Sequence, residues 1–197
     1  MNLENWFPTP IFFSIADEKI KNAILAEYQS AEEKILESSA MNSGTWGDHI
    51  DTTFKYGDDN NIILTHNLCL LKEYVQQIAT TFSHYLFTNP EPILIQESWI
   101  NYSKKYQHQN KHDHFKENTL SGVYYLKTNG GDGNIKFYPP SACMRYHKRN
   151  TTPITHSSIE YKPEEGKIIL FPSWVEHSVL PNMTESTRIS VSFNLSV

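Results

Sequence analysis

The sequence is poor in cysteine, in basic charge and in long apolar runs, and each shortage closes off a class of protein. Cys69 and Cys143 are the only cysteines among 197 residues, too few for a disulfide framework or for a closed, cysteine-rich zinc site. Cys69 falls on what reads as the apolar side of a helix. Lys and Arg number 17 against 22 Asp and Glu, a net charge of −5, and no basic run offers a footprint for a phosphate backbone. Nucleic acid is therefore not an expected partner. The densest basic group, Arg145, His147, Lys148 and Arg149, reads as a solvated loop. No window approaches the roughly 18 apolar residues of a membrane span, and MNLENWFPTPIFF lacks the charged-then-apolar pattern of an export signal. A soluble, cytoplasmic protein without a membrane partner is expected. Repeats and low-complexity tracts are missing too.

What is present fits one domain over residues 1–197, since this length fills one core and falls short of two. NWFPTPIFFSI, residues 5–15, reads as extended because its prolines exclude helix, and Asp17 can cap a helix that starts just after it. From Glu18 to about Ser38, Ile20, Ile24, Tyr28, Ala31 and Ile35 recur at helical spacing. A second helix from about Asn67 to Phe87 carries Leu68, Leu71, Val75, Ile78, Phe82 and Tyr85 in one stripe, and Asn89, Pro90 and Pro92 end it. The Gly44–Asn61 stretch is rich in turn formers and reads as irregular loop. After Pro92 the texture becomes short apolar runs: ILIQESWINYS, LSGVYYLKT, GNIKFYPP, SIEYKP, KIILFPS, HSVLP and RISVSFNLSV. Turn signals at Asn129–Gly133 and Pro163–Gly166 should each join two strands. Helical support over about 16–88, then strands over about 93–197, predicts an α+β, mainly β chain with helices on one face of an antiparallel barrel or sandwich.

Two features of that strand-rich half point to chemistry. His112 and His114 are one residue apart, so in an extended segment both imidazoles leave one face. His177 sits in FPSWVEHSVLP, on the strand face shared by Val175 and Val179. Two imidazoles from one strand and one from another describe a facial metal site with open positions, set against a chance pair among nine histidines. His49, His66, His84, His147 and His156 read as surface or packed residues. The last strand alternates cleanly, with Arg188, Ser190, Ser192 and Asn194 on one face and Ile189, Val191, Phe193 and Leu195 on the other. If the apolar set packs under helices, the polar set lines a lumen. Arg188 then needs an anion, and a dicarboxylate satisfies it with a bidentate bridge that Ser190 can support. The alternative is an edge-strand arginine in water.

Taken together, NKHDHFKENTLSGVYYL, EEGKIILFPSWVEHSVLPN and TRISVSFN resemble a family of 2-oxoglutarate and Fe(II)-dependent oxygenases of bacteria and phages. The resemblance runs from about Trp99 to the C-terminus, with a weaker echo in FPTPI. It implies a double-stranded β-helix, or jelly-roll, with N-terminal helices packed on one sheet. It also implies Fe(II) and 2-oxoglutarate as cofactors, succinate and CO2 as co-products, and a small-molecule or peptide substrate of unknown identity. By the family's pattern His112 and His177 are metal ligands, Arg188 and Ser190 clamp the remote carboxylate of 2-oxoglutarate, and Tyr125, on the face of Ser121 and Val123, points at that carboxylate. The family at large places a carboxylate two residues after the first histidine, where this chain has His114. Either His114 ligates, or a bulge turns Asp113 inward, or the carboxylate comes from elsewhere or is missing. Strand geometry favours His114. Strand phase places Trp99, Asn101 and Asn194 as expected pocket-lining residues, with a structural role for each as the alternative. Two other readings stay open: a three-histidine cupin-type dioxygenase working without 2-oxoglutarate, and a non-catalytic jelly-roll binding module.

Overall fold

A computed structural model of the chain describes residues 8–38, 42–43, 50–54, 60–88, 91–114, 118–140 and 156–196. Local chemistry explains where its helices start. Helix α1 spans Glu18–Ser38, and Asp17 Oδ1 accepts from the Ile20 amide at 2.8 Å, satisfying one orphan donor of the first turn. Its buried residues are Ile24, Tyr28 and Ile35, while Ile20 lies exposed before the contact begins. A single turn, α2 (Ile62–Thr65), leads into α3 (Cys69–Leu86). No side chain at the start of α3 caps it. Instead Glu27 of α1 accepts from the Leu70 and Leu71 amides at 2.8 and 3.1 Å, placing a carboxylate on the positive end of the α3 dipole. Two expectations fail on α3. Cys69 is exposed, because it stands two residues, about 200° of rotation, from buried Leu71. Tyr85 is exposed as well, beside Phe12 at the sheet edge.

The strands are β1 (Phe12–Ile15), β2 (Asn42–Ser43), β3 (Asp51–Thr52), β4 (Leu94–Ser103), β5 (Gln109–His112), β6 (Leu120–Lys127), β7 (Ile135–Phe137), β8 (Ile159–Tyr161), β9 (Lys167–Pro172), β10 (His177–Val179) and β11 (Arg188–Ser196). They form a seven-stranded sheet, β1-β9-β6-β11-β4-β3-β2, and a four-stranded sheet, β5-β10-β7-β8. Every paired strand is antiparallel. The Asn129–Gly133 and Pro163–Gly166 turns do join strands, but each carries the chain from one sheet to the other rather than closing a hairpin. Gly130, Gly133 and Gly166 supply the positive φ these crossings need. The alternation of chain between two facing sheets is the jelly-roll.

The large sheet has an apolar side and a polar side, as the alternation in β11 requires. Val191, Phe193 and Leu195 pack with Tyr124, Leu126, Ile168 and Leu170 against Ile24, Tyr28, Leu71 and Val75 of the helices. Gly122 makes this possible at one point. A Cβ there would meet the Phe193 ring at 2.5 Å and Leu170 Cδ2 at 2.7 Å. The opposite side, with Arg188, Ser190, Ser192, Val123 and Tyr125, faces the small sheet across a cavity. Within the expected Gly44–Asn61 loop, Asp51–Thr52 is a short strand paired with β4. Cys143, the Arg145–Arg149 group and His49 lie outside the described residues. Among the described residues no helix is long and apolar enough to cross a membrane.

Candidate metal centre

The small sheet brings the three histidines together. His177 opens β10 and pairs directly with His112 at the end of β5. His114 lies just past that strand end, where its amide donates to Ser173 O at 2.9 Å. The ring centroids are 4.3 Å apart for His112 and His177, 5.1 Å for His112 and His114, and 5.2 Å for His114 and His177. One nitrogen from each ring lies within 4.8 Å of the other two, a group able to hold a metal ion. Asp113, between the two β5-side histidines, is exposed and outside this group.

Backbone contacts orient the rings. His112 Nδ1 is 2.6 Å from Asn110 O and His177 Nδ1 is 3.0 Å from Val175 O. A carbonyl only accepts, so Nδ1 carries the hydrogen in both rings and Nε2 is the basic nitrogen, the tautomer a metal ligand needs. His177 is 4% exposed, and burial, reinforced by the neighbouring His112 and His114, pushes its pKa well below the ordinary value. Burial likewise lowers His112, opposed by its bond to Asn110 and by Asp113. Neutral imidazoles at neutral pH are what a divalent cation requires. Phe171 and Phe137 pack their rings 4.7 and 5.9 Å from His177, and Trp99 lies 5.7 Å from His114.

Deeper in the same cavity stands Arg188, 2% exposed. Its Nη1 donates to Asp132 O at 2.9 Å and Gly133 O at 2.7 Å, while Nε is buried and has no hydrogen-bond partner among the described residues. An unpaired donor on a buried cation costs free energy until an anion arrives. Burial lowers the Arg188 pKa, with Tyr125 and Asp132 opposing that shift, and guanidinium remains cationic. Tyr125, also buried, is pushed up to about 12 by burial, against the pull of Arg188. It is a phenol, able to donate. Ser190 pairs with Tyr125 across β11 and β6 and lines the same cavity.

The other expectations divide. Trp99 and Asn101 line the cavity, and Asn101 Oδ1 is buried without a partner among the described residues. Asn194 does not line it. This side chain bonds instead to Ser121 and Glu97. His66 is 3.2 Å from Ser38 Oγ, and His84 and His156 are exposed. None of these three belongs to the triad. Sequence reasoning missed the Asp132–Gly133 clamp on Arg188. Gly133, at φ +103, has space for no side chain, since a Cβ would stand 2.2 Å from Leu180 O and 3.0 Å from Arg188 Nη1. The glycine-rich turn was visible; the arginine it holds, 55 residues away, was not.

The family model described as "Putative 2OG-Fe(II) oxygenase" matches residues 97–194. A Pseudomonas putida prolyl-4-hydroxylase has a similar fold, with a TM-score of 0.61 and 17% identity over 95% of this chain and 92% of that one. The epimerase SnoN, solved with Fe3+, alpha-ketoglutarate and nogalamycin RO, superposes with a TM-score of 0.66 at 13% identity, over 95% of this chain and 78% of its own. A prolyl hydroxylase from Trichoplax adhaerens, in complex with a hypoxia inducible factor peptide fragment, gives 0.57 at 13% identity, over 94% of this chain and 82% of that one. At these identities the likeness is one of fold. No curated protein matches the chain.

Proposed function

Because this chain belongs to the 2-oxoglutarate- and Fe(II)-dependent oxygenases, we propose that His112, His114 and His177 hold its Fe(II) and that Arg188, Tyr125 and Ser190 receive the far carboxylate of 2-oxoglutarate. The observation that carries this reading is the buried, half-paired guanidinium of Arg188 in one cavity with the histidine triad. When bound, Fe(II), 2-oxoglutarate and O2 together supply the oxidising power, giving succinate and CO2 while the substrate is oxidised.

The chain's own residues bind, orient and shield. Backbone carbonyls of Asn110 and Val175 hold two imidazoles with Nε2 available. His114, not Asp113, completes the set, because its ring lies within the group and Asp113 faces outward. Three neutral ligands leave the cation's full charge uncompensated by protein, which favours a dianionic co-substrate over a neutral one. Arg188 offers the Nε and Nη2 edge of its guanidinium, Tyr125 a protonated phenol and Ser190 a hydroxyl to one carboxylate. Phe171 and Trp99 line the cavity as apolar walls, packed against His177 and His114, and Phe137 packs against His177. The substrate is a small molecule or a peptide segment, the two kinds of ligand bound by SnoN and the Trichoplax enzyme. A three-histidine dioxygenase working without a 2-oxo diacid would leave Arg188 without its anion.

The test is a pair of anaerobic calorimetric titrations, Fe(II) first and 2-oxoglutarate second, with succinate detection on admitting O2. Tight 2-oxoglutarate binding that depends on prior metal, and succinate formed on oxygenation, is the expected result. Metal binding with no response to 2-oxoglutarate would refute the assignment of Arg188.

A further inference from the structure

The large sheet carries a second polar feature, one step beyond the metal triad and on the side away from Arg188. Along the inner face of β4 the order is Ser103, paired with Arg188; Asn101, paired with Ser190; Trp99, paired with Ser192 and 5.7 Å from the His114 ring; then Glu97, paired with Asn194. Alternate residues on a strand advance by about 6.8 Å. The co-substrate, on the proposed reading, fills the space between the triad and Arg188. Glu97, two residues beyond the cavity-lining Trp99 on β4, then stands on the far side of the triad from that space, outside the cavity lining.

Glu97 is held there by a built row of groups. Asn194 Nδ2 donates to Glu97 Oε2 at 2.6 Å, the Ser121 hydroxyl donates to Asn194 Oδ1 at 2.8 Å, and Ser121 and Ser173 hydroxyls are 2.9 Å apart. A carboxylate only accepts, which fixes the Asn194 amide. That amide in turn fixes the Ser121 hydrogen, so Ser173 must donate to Ser121. Every hydrogen in the row points toward Glu97. Asn194, Ser121 and Ser173 are 2%, 1% and 1% exposed, so the row is rigid and cooperatively polarised. Ser173 O also accepts from the His114 amide, tying the row to the metal segment. Glu97 itself is only half-buried. Its second oxygen, Oε1, has no hydrogen-bond or ion-pair partner among the described residues.

Building on the oxygenase reading, we infer that Glu97 is a substrate-specificity residue that receives a cationic group, an amine or guanidinium, of the primary substrate. The carboxylate supplies a charge-assisted contact through Oε1. A row of donors aimed at one carboxylate keeps that charge in place when the substrate is absent, so little reorganisation is needed on binding.

The experiment uses protein loaded with Mn(II) and 2-oxoglutarate, which binds without turnover, and ligand-detected NMR titrations with four probes. Nα-acetyl-L-arginine amide and Nα-acetyl-L-lysine amide are cationic. Nα-acetyl-L-citrulline amide and Nα-acetyl-L-norleucine amide are their neutral counterparts. Each cation is expected to bind about ten-fold tighter than its neutral partner, the size of one charge-assisted contact, with Mn(II) broadening the probe's side-chain signals. In Glu97→Gln the ratio should fall to near unity, and in Glu97→Lys it should invert. Equal affinities in the wild type, or a cation preference that survives both substitutions, would overturn the inference. Wild-type protein that takes up neither Mn(II) nor 2-oxoglutarate in the control titrations would instead overturn the oxygenase reading on which it rests.

Discussion

Replacing Arg188 by lysine isolates the role of the guanidinium fork while keeping a buried positive charge. In the native protein Nη1 is committed to Asp132 O and Gly133 O, and the other edge of the guanidinium, Nε and Nη2, makes no hydrogen bond among the described residues and is left for a ligand. Lysine has no second planar edge, so it can keep the carbonyl contacts or reach the anion, but not both with good geometry. A hydrogen bond to a charged group contributes about 1.5–3 kcal/mol, which corresponds to a loss in 2-oxoglutarate affinity of roughly 10- to 150-fold. Thermal unfolding reads this directly. At a ligand concentration of about 100 Kd the wild type gains ~2.7 kcal/mol, worth roughly 5–10 °C for a chain of this size. At the same concentration Arg188→Lys, with Kd raised ten-fold or more, gains ~1.4 kcal/mol or less. The shift from metal alone should be unchanged, because Arg188 is not in the histidine group. A full 2-oxoglutarate shift in the variant would remove Arg188 from the binding site.

The same geometry sets three further outcomes. His177→Ala and His114→Ala should each lose stoichiometric iron by metal analysis while keeping the far-ultraviolet circular dichroism of the wild type, whereas Asp113→Asn should keep its iron; the opposite pattern would make Asp113 the ligand. The metal-free protein should lose stability as the pH falls below about 6.5. His177 has a folded pKa well below that of the unfolded chain, so the unfolded state takes up the proton first and is favoured by ~1.4 kcal/mol per pH unit until the folded value is reached. Urea denaturation at pH 7.5, 6.0 and 5.0 measures this, and a flat profile would contradict the burial argument. Gly122→Ala should lower stability by about 1–3 kcal/mol, because the added methyl meets the Phe193 ring and Leu170; a neutral result in the same assay would mean that the core yields more easily than its packing implies.

The periodic elements were legible along the chain because periodicity is a local property. Most of the α1 stripe, Ile20 excepted, most of the α3 stripe and the alternation of β11 each arise from which residues recur at 3.6 or 2.0. His-x-His, with His177 downstream, was likewise visible as a pattern. The exceptions on α3 stand at its ends: Cys69, about 200° of rotation from buried Leu71, turns to solvent with the helical repeat, and Tyr85 is exposed where the last turn reaches the sheet edge.

What the amino-acid order determined by itself was the set of faces: which residues leave a strand together, and where turns had to fall. What only the tertiary structure decided was which faces meet. The His177–His112 pairing, the carbonyl clamp that Asp132 and Gly133 place on Arg188, and the Glu97–Asn194–Ser121–Ser173 row all depend on the partition of eleven strands into two sheets and on their register. A slip of one residue would turn every such side chain to the opposite face. Register is settled by the burial of whole apolar faces against the helices, a sum over contacts distant in sequence that no local window contains.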